Sequence, residues 1–191
     1  MIWRGLELEY GGTLQPYPEA SALVDLCAAY GPYKTALDIG TGSGCIALAL
    51  KAEGMADTVV ATDIDPTACD VAWQNANRLG LDVDIRSGDM YKPVPERYEL
   101  TVFNVPYVRT ADVQNLDDPP LAVDGGEDGL DLIRRAVDEY PGWLGGVLAV
   151  GIGTGHRRAV DDMFGSARFE VAATGRCPRF GVIRHMIGIR T

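Results

Sequence analysis

Short runs of apolar and β-branched residues recur along the chain at 35–39, 58–64, 83–86, 100–105 and 147–152. Between them, at 19–30, 45–52, 66–79, 129–140 and 155–164, apolar side chains return every three or four positions. Strand-length runs alternating with helical patterns predict a parallel sheet with helices on both faces, because parallel neighbours need a crossover between them. Asp65-Pro66 reads as a helix start, a side-chain acceptor followed by a proline whose missing N–H costs nothing there. Gly80 reads as the matching stop. The end of the chain differs: 168–174 and 182–190 are strand-like with only a turn segment, 175–181, between them. That spacing predicts an antiparallel hairpin. The expected architecture is an α/β, Rossmann-like sheet of seven strands, mostly parallel, closed by a C-terminal antiparallel hairpin.

With 191 residues, 47% of them hydrophobic, the chain can bury one sizeable core and reads as a single domain. Residues 1–33 would form an N-terminal strand and helix ahead of a core of residues 34–191. One irregular stretch, 109–128, carries Pro119-Pro120 and Gly125-Gly126 and is long for a connection without structure, so a binding or covering loop is expected. No apolar stretch approaches the roughly 20 residues of a membrane helix, and the first residues lack the basic-then-apolar order of a secretion signal. The expected location is cytoplasmic. Cys27, Cys45, Cys69 and Cys177 stand far apart with no CxxC or Cys/His cluster. They read as reduced thiols, mostly buried, and no metal is expected.

The net charge of −10 is unevenly placed. Residues 151–191 hold seven arginines against Asp161, Asp162 and Glu170, a local +4, which leaves −14 on the first 150. An acidic body of this kind discourages a broad grip on nucleic acid. The basic end reads as a solvated face or as a dock for an acidic partner.

Candidate chemistry begins where the first core strand meets Asp38-Ile39-Gly40-Thr41-Gly42-Ser43-Gly44. A strand running through glycines into a helix lets a ligand approach the backbone closely. The dinucleotide fingerprint wants G-x-G-x-x-G/A, yet position 45 is Cys and the third glycine falls at 44. Asp38, directly before the loop, would repel a pyrophosphate but suits a cationic sulfonium with its ammonium group. Asp63, closing the next apolar run, is placed to accept bonds from ribose hydroxyls. Asp89 follows the third run and is placed to accept from an adenine amine, with Ile64 and Met90 on either side of the ring. Three acids after successive strands of one sheet fit a donor site for S-adenosylmethionine, with S-adenosylhomocysteine as product.

After the fourth core strand comes Phe103-Asn104-Val105-Pro106-Tyr107. A planar nitrogen is a poor nucleophile because its lone pair is delocalised, so it must be held and polarised. The Asn104 side-chain oxygen and the Val105 carbonyl are the two acceptors expected to take its N–H groups. Pro106 restricts Val105 to extended geometry, and Tyr107 offers a flat face for stacking. His156 and His185 are the only histidines and read as structural, since methyl transfer from a sulfonium needs little base help. Trp3, Trp73 and Trp143 read as core or interface anchors.

With both motifs in place the chain resembles the HemK-type protein glutamine methyltransferases, which modify the glutamine amide in the GGQ motif of release factors. Their class I methyltransferase fold is the expectation that follows. The likeness runs through Leu14-Gln15-Pro16-Tyr17-Pro18-Glu19, the donor loop to Leu48, Ala61-Thr62-Asp63-Ile64 with Asn75-Ala76, and Pro120 to Leu130. Val105 replaces the first proline of the family's N-P-P-Y and is similar to the form found in enzymes acting on nucleobase amines. Tyr17, Ala20 and Gly151 stand where the family usually has Arg, Thr and Glu. The helical domain with which bacterial members engage release factors has no counterpart in these residues, which invites a partner subunit or homodimer. The resemblance implies a release factor as acceptor. A small metabolite or peptide nitrogen is the alternative, then a nucleobase amine, or a catalytically silent donor-binding subunit.

Overall fold

The apolar runs pair into one seven-stranded sheet in the computed structural model, which describes residues 1–13, 15–142, 144–176 and 183–191, with Ile183 described by its backbone alone. Ahead of the sheet, β1 (Ile2–Trp3) and β2 (Leu6–Glu7) form a separate antiparallel hairpin that leads to α1 (Pro18–Ala28). The sheet comprises β3 (Tyr33–Ile39), β4 (Ala56–Asp63), β5 (Asp84–Ser87), β6 (Leu100–Phe103), β7 (Val147–Gly151), β8 (Phe169–Arg176) and β9 (Ile183–Arg190). Its spatial order is β5-β4-β3-β6-β7-β9-β8. β3 to β7 run parallel, and β9 lies antiparallel between β7 and β8. The C-terminal hairpin thus enters the sheet as expected from its two adjacent strand patterns. The segment between its strands, with Cys177, Arg179 and Val182, lies outside the described residues, as do Leu14 and Trp143.

Residues alternate across the sheet with the period of the pleat. Ala36, Val59, Val102, Val147, Ala149 and Ile187 face α1 and α2 (Cys45–Ala52). Their sequence neighbours Leu37, Val60, Phe103, Leu148, Val150 and Met186 face α6 (Asp131–Asp138) and α7 (Arg157–Ser166). α3 (Pro66–Leu79) begins as predicted, with the Asp65 carboxylate accepting from Thr67 N at 2.9 Å, and it stops at Gly80 in the left-handed conformation. Trp3 is buried, whereas Trp73 on α3 is 60% exposed and anchors no core.

Element ends moved where backbone chemistry overrides the hydrophobic pattern. The run at 100–105 ends as a strand at Phe103, because Pro106 constrains the residue before it and carries no ladder donor. The pattern at 129–140 becomes a helix only from Asp131, Gly129 having a φ of +76°. The stretch 109–128 is not structureless, since it holds the one-turn helices α4 (Thr110–Val113) and α5 (Pro120–Val123). Among the described residues no helix is long and apolar enough to cross a membrane.

The order of strands fixes where a ligand can sit. From β3 the chain builds outward through β4 and β5, then returns to add β6 on the other side. Loops at the carboxyl ends of β3 and β6 therefore diverge and leave a crevice, the usual ligand position in an open α/β sheet.

Candidate active site

The loop after β3 is shaped by its glycines and pinned by Asp38. Gly40, Gly42 and Gly44 have φ of +64°, +57° and +83°, a region that costs an ordinary L-residue strain. At Gly44 a Cβ would also press within 3.1 Å of the Ala72 Cβ on α3, so this glycine lets α2 start close against α3. The Asp38 carboxylate is only 1% exposed and accepts from Thr41 Oγ1 at 2.7 Å and Ala47 N at 3.2 Å. Burial pushes its pKa up to about 7, against the lowering effect of those two donors. Its expected contact with a cationic ligand is corrected here: Asp38 turns inward, outside the cavity lining, and acts by tying the loop to α2. Gly44 is likewise outside the lining, for the packing reason just given.

Gly40, Thr41, Gly42 and Ser43 form the floor of the cavity at the crevice. Asp63, Ile64 and Met90 stand along it from β4 and from the turn after β5. One Asp63 oxygen accepts from Gly42 N at 2.8 Å and the other from Asp65 N at 3.0 Å. Burial raises its pKa, and a carboxylate so bonded keeps lone pairs for hydroxyl donors from a ligand. Asp89 also lines the cavity, held by Lys92 at 2.7 Å and Arg135 at 3.0 Å. The hydrogen bond from Lys92, then that from Arg135, lowers its pKa and keeps it ionised as an acceptor. Among the described residues Ser43 Oγ is buried with no hydrogen-bond partner. An orphaned hydroxyl, bent glycine backbone and ionised acceptors fit the amino-acid, ribose and adenine parts of adenosylmethionine. Among the described residues no His, Cys, Asp and Glu group is arranged to hold a metal.

Asn104 and Pro106 line the other end of the same cavity, next to Phe103. Val105 and Tyr107 do not. Val105 is buried in the core behind the motif. Against Tyr107, expected to offer a flat face for stacking, the Arg184 guanidinium lies 4.8 Å from the ring centroid and donates to the hydroxyl at 3.1 Å. Arg184 comes from β9, distant in sequence, so no local signal marked it. His156 and His185 are also outside the cavity. His185 is 1% exposed, and burial lowers its pKa to about 4.

Two further walls complete the cavity, one of them from the stretch 109–128 in which a binding or covering loop is expected. Gly12, Thr13, Gln15, Pro16, Tyr17 and Ala20 close one side from the N-terminal segment, while Pro119, Leu121 and Ala122 close the facing side from around α5. The Tyr17 hydroxyl donates to Asp118 at 3.3 Å, joining these two segments. Tyr17 and Ala20, two of the positions that depart from the resembling family, thus both border the cavity. Asn75 on α3 holds the N-terminal wall by donating to Glu9 O at 2.7 Å and Ser43 O at 2.9 Å and accepting from Glu9 N at 3.0 Å.

A glycine-bent loop at the switch point of a mostly parallel sheet, with an Asn-containing turn one strand away across a shared cavity, defines the class I methyltransferase architecture. The sequence pattern of the methyltransferase small domain matches residues 20–116, and the chain belongs to that family. It is 40% identical over 158 residues to a release factor glutamine methyltransferase of Cereibacter sphaeroides, across 78% of this chain and 56% of that protein. It is 34% identical over 169 residues to a ribosomal protein uL3 glutamine methyltransferase of Burkholderia pseudomallei, across 80% of this chain and 52% of that one. The chain therefore spans little more than half the length of either relative. A methyltransferase structure from Pyrococcus furiosus superposes with a TM-score of 0.76 at 20% identity, over 98% of this chain and 90% of that one. At that identity the likeness is one of fold.

Proposed function

We propose that this chain is an S-adenosylmethionine-dependent methyltransferase acting on a planar nitrogen, the side-chain amide of a glutamine in a protein of the release-factor GGQ type. The observation that carries the reading is one cavity lined both by the donor loop with Asp63, Ile64, Asp89 and Met90 and by Asn104 and Pro106. Similarity to glutamine methyltransferases supports the choice of acceptor. The charge of −14 on residues 1–150 weighs against a nucleobase acceptor within a nucleic acid. A protein acceptor of this kind places the reaction in the cytoplasm, and residues 1–191 act together as its methyltransferase domain.

Adenosylmethionine supplies a methyl carbon made electrophilic by its sulfonium, and S-adenosylhomocysteine is the product. Asp63 would hold the ribose hydroxyls, Ile64 and Met90 would flank the base, and Asp89, kept charged by Lys92 and Arg135, would accept from the adenine amine. At the acceptor end the Asn104 oxygen and the Val105 carbonyl each take one amide N–H. Both acceptors increase electron density on the nitrogen and aim its lone pair into the cavity. Pro106 keeps the Val105 carbonyl in place by fixing its own φ and limiting its neighbour's backbone. No general base is assigned: neither histidine borders the cavity, and the amide proton departs to water after transfer.

The test is mass spectrometry of a release factor carrying the GGQ sequence, and in parallel of ribosomal protein uL3, after incubation with this protein and adenosylmethionine. A gain of one methyl on a glutamine, reduced at least about a hundredfold in rate by Asn104→Ala, is expected from loss of one oriented acceptor at the reaction centre. No gain on either protein, from a preparation that binds the donor, refutes the glutamine acceptor.

A further inference from the structure

The segment between β2 and α1 is fixed at two points, one toward each end of the cavity. At the first, Asn75 bonds both main-chain groups of Glu9 and the Ser43 carbonyl, which sets residue 9 beside the donor loop. At the second, the Tyr17 hydroxyl donates to Asp118 at 3.3 Å. Partial burial, then the Asp118 charge, raises the pKa of that hydroxyl, and Tyr107 of the Asn104–Tyr107 turn is close enough to add to the rise. The segment therefore passes from the donor loop to the acceptor turn, and Gly12, Thr13, Gln15, Pro16 and Tyr17 border the cavity on the way.

Gln15 differs from its neighbours in this wall. It is exposed, and among the described residues its side-chain amide has no hydrogen-bond partner. Its backbone is held all the same. Gln15 and Tyr17 each precede a proline, which restricts both to extended geometry, and Tyr17 has a φ of −85° and a ψ of 155°. Pro16 between them is buried, and the Tyr17 carbonyl accepts from Trp3 Nε1 at 3.4 Å. A primary carboxamide with nothing to hold it thus stands in the wall of a cavity whose proposed substrate is a primary carboxamide. The chain has two other glutamines, Gln74 on α3 and Gln114 just after α4, and neither borders the cavity.

We propose that Gln15 is a self-methylation site: the chain transfers the donor's methyl to its own Gln15 side-chain nitrogen, within one molecule. This rests on the reading of the site as that of a glutamine-amide methyltransferase. The Gln15 Nε2 lone pair forms the bond to the methyl carbon as the carbon–sulfur bond breaks. The electron pair of the broken bond stays on sulfur in S-adenosylhomocysteine, and one amide proton passes to water. The Asn104 oxygen and the Val105 carbonyl take the Gln15 N–H groups as they take those of an external glutamine. Tethering favours the step, because a short tether presents its group at an effective concentration on the order of millimolar, whatever the supply of external acceptor. The product is a secondary amide that carries its methyl in the cavity wall.

The experiment is tandem mass spectrometry of the full chain after incubation with adenosylmethionine alone, at several protein concentrations, with a GGQ-containing release factor and uL3 as external acceptors in parallel reactions. One methyl is expected on Gln15 and none on Gln74 or Gln114, at a rate per molecule that does not change with protein concentration. Asn104→Ala should slow the gain at least about a hundredfold, and Gln15→Glu, which keeps the length of the side chain and removes its nitrogen, should gain none. A methyl already on Gln15 before incubation, and absent from Asn104→Ala, counts as the same result. No methyl on Gln15 in a preparation that methylates either external protein overturns the inference and leaves the glutamine reading standing. So does a methyl spread over all three glutamines, which marks unguided alkylation, or a rate per molecule rising in proportion to concentration, which marks transfer between copies. No methyl on any glutamine, internal or external, from a preparation that binds the donor overturns both.

Discussion

Replacing Asn75 with alanine removes three hydrogen bonds to the main chain at once. Asn75 is 1% exposed; its amide nitrogen donates to Glu9 O and Ser43 O, and its oxygen accepts from Glu9 N. At about 1 kcal/mol of net stabilisation per bond, the variant should lose about 3 kcal/mol of unfolding free energy. In a domain of this size that corresponds to a fall of about 6–12 °C in Tm. The effect should reach the site, because Ser43 belongs to the donor loop and Glu9 leads into Gly12 and Thr13 of the cavity wall. If about half of the lost energy is expressed in binding, donor affinity falls roughly tenfold. Circular-dichroism melting and calorimetry with adenosylmethionine check the two halves separately. A Tm within about 2 °C of wild type, less than 1 kcal/mol on the same scale, together with unchanged donor affinity, would refute the view that this one amide joins wall to loop.

Asp63→Ala should weaken adenosylmethionine binding while leaving the Asn104 end formed; equal donor affinity by calorimetry would remove Asp63 from the ribose role. His185 yields a pH prediction. Its folded pKa, about 4, lies below the ordinary 6.5 because burial disfavours the imidazolium. Its contribution is therefore present above pH 6.5 and is lost as pH falls toward 4, by about 2 kcal/mol between pH 7 and pH 5. Asp38, whose pKa is raised from 3.8 to about 7, acts with the opposite sign: its burial cost is relieved as pH falls from 7 toward 4. The two nearly cancel in the wild type. Urea unfolding of His185→Gln should therefore show stability rising by about 2 kcal/mol relative to wild type on going from pH 7 to pH 5, and parallel profiles would contradict the assignment.

The donor loop was legible because its signal is local. A strand, three glycines at alternate positions and a helix lie within a dozen residues, and the acids at 63 and 89 each follow an apolar run that names itself as a strand. Asn104-Val105-Pro106-Tyr107 was legible for the same reason, since proline chemistry acts on its immediate neighbour. Gly151 was visible only as a departure from a resembling family. A Cβ there would come within 2.6 Å of Asn104 Oδ1, a closeness that arises only because β7 lies beside β6.

By itself, then, the sequence determined the alternation of strands and helices, the parallel sense of the central sheet, the hairpin at its end and the two motifs that meet at its switch point. These follow from periods of two and of three to four residues and from backbone rules that reach only a few positions. Tertiary structure alone decided that Asp38 faces Thr41 and Ala47 rather than a ligand, that Arg184 lies against Tyr107, that Asn75 joins Glu9 to Ser43, and that residues around Tyr17 wall the cavity. Each of these pairs or groups brings together side chains from different elements, or turns a side chain inward or outward. Such outcomes are settled by which strands become neighbours and how closely helices pack on them, and hydrophobic periodicity does not encode either.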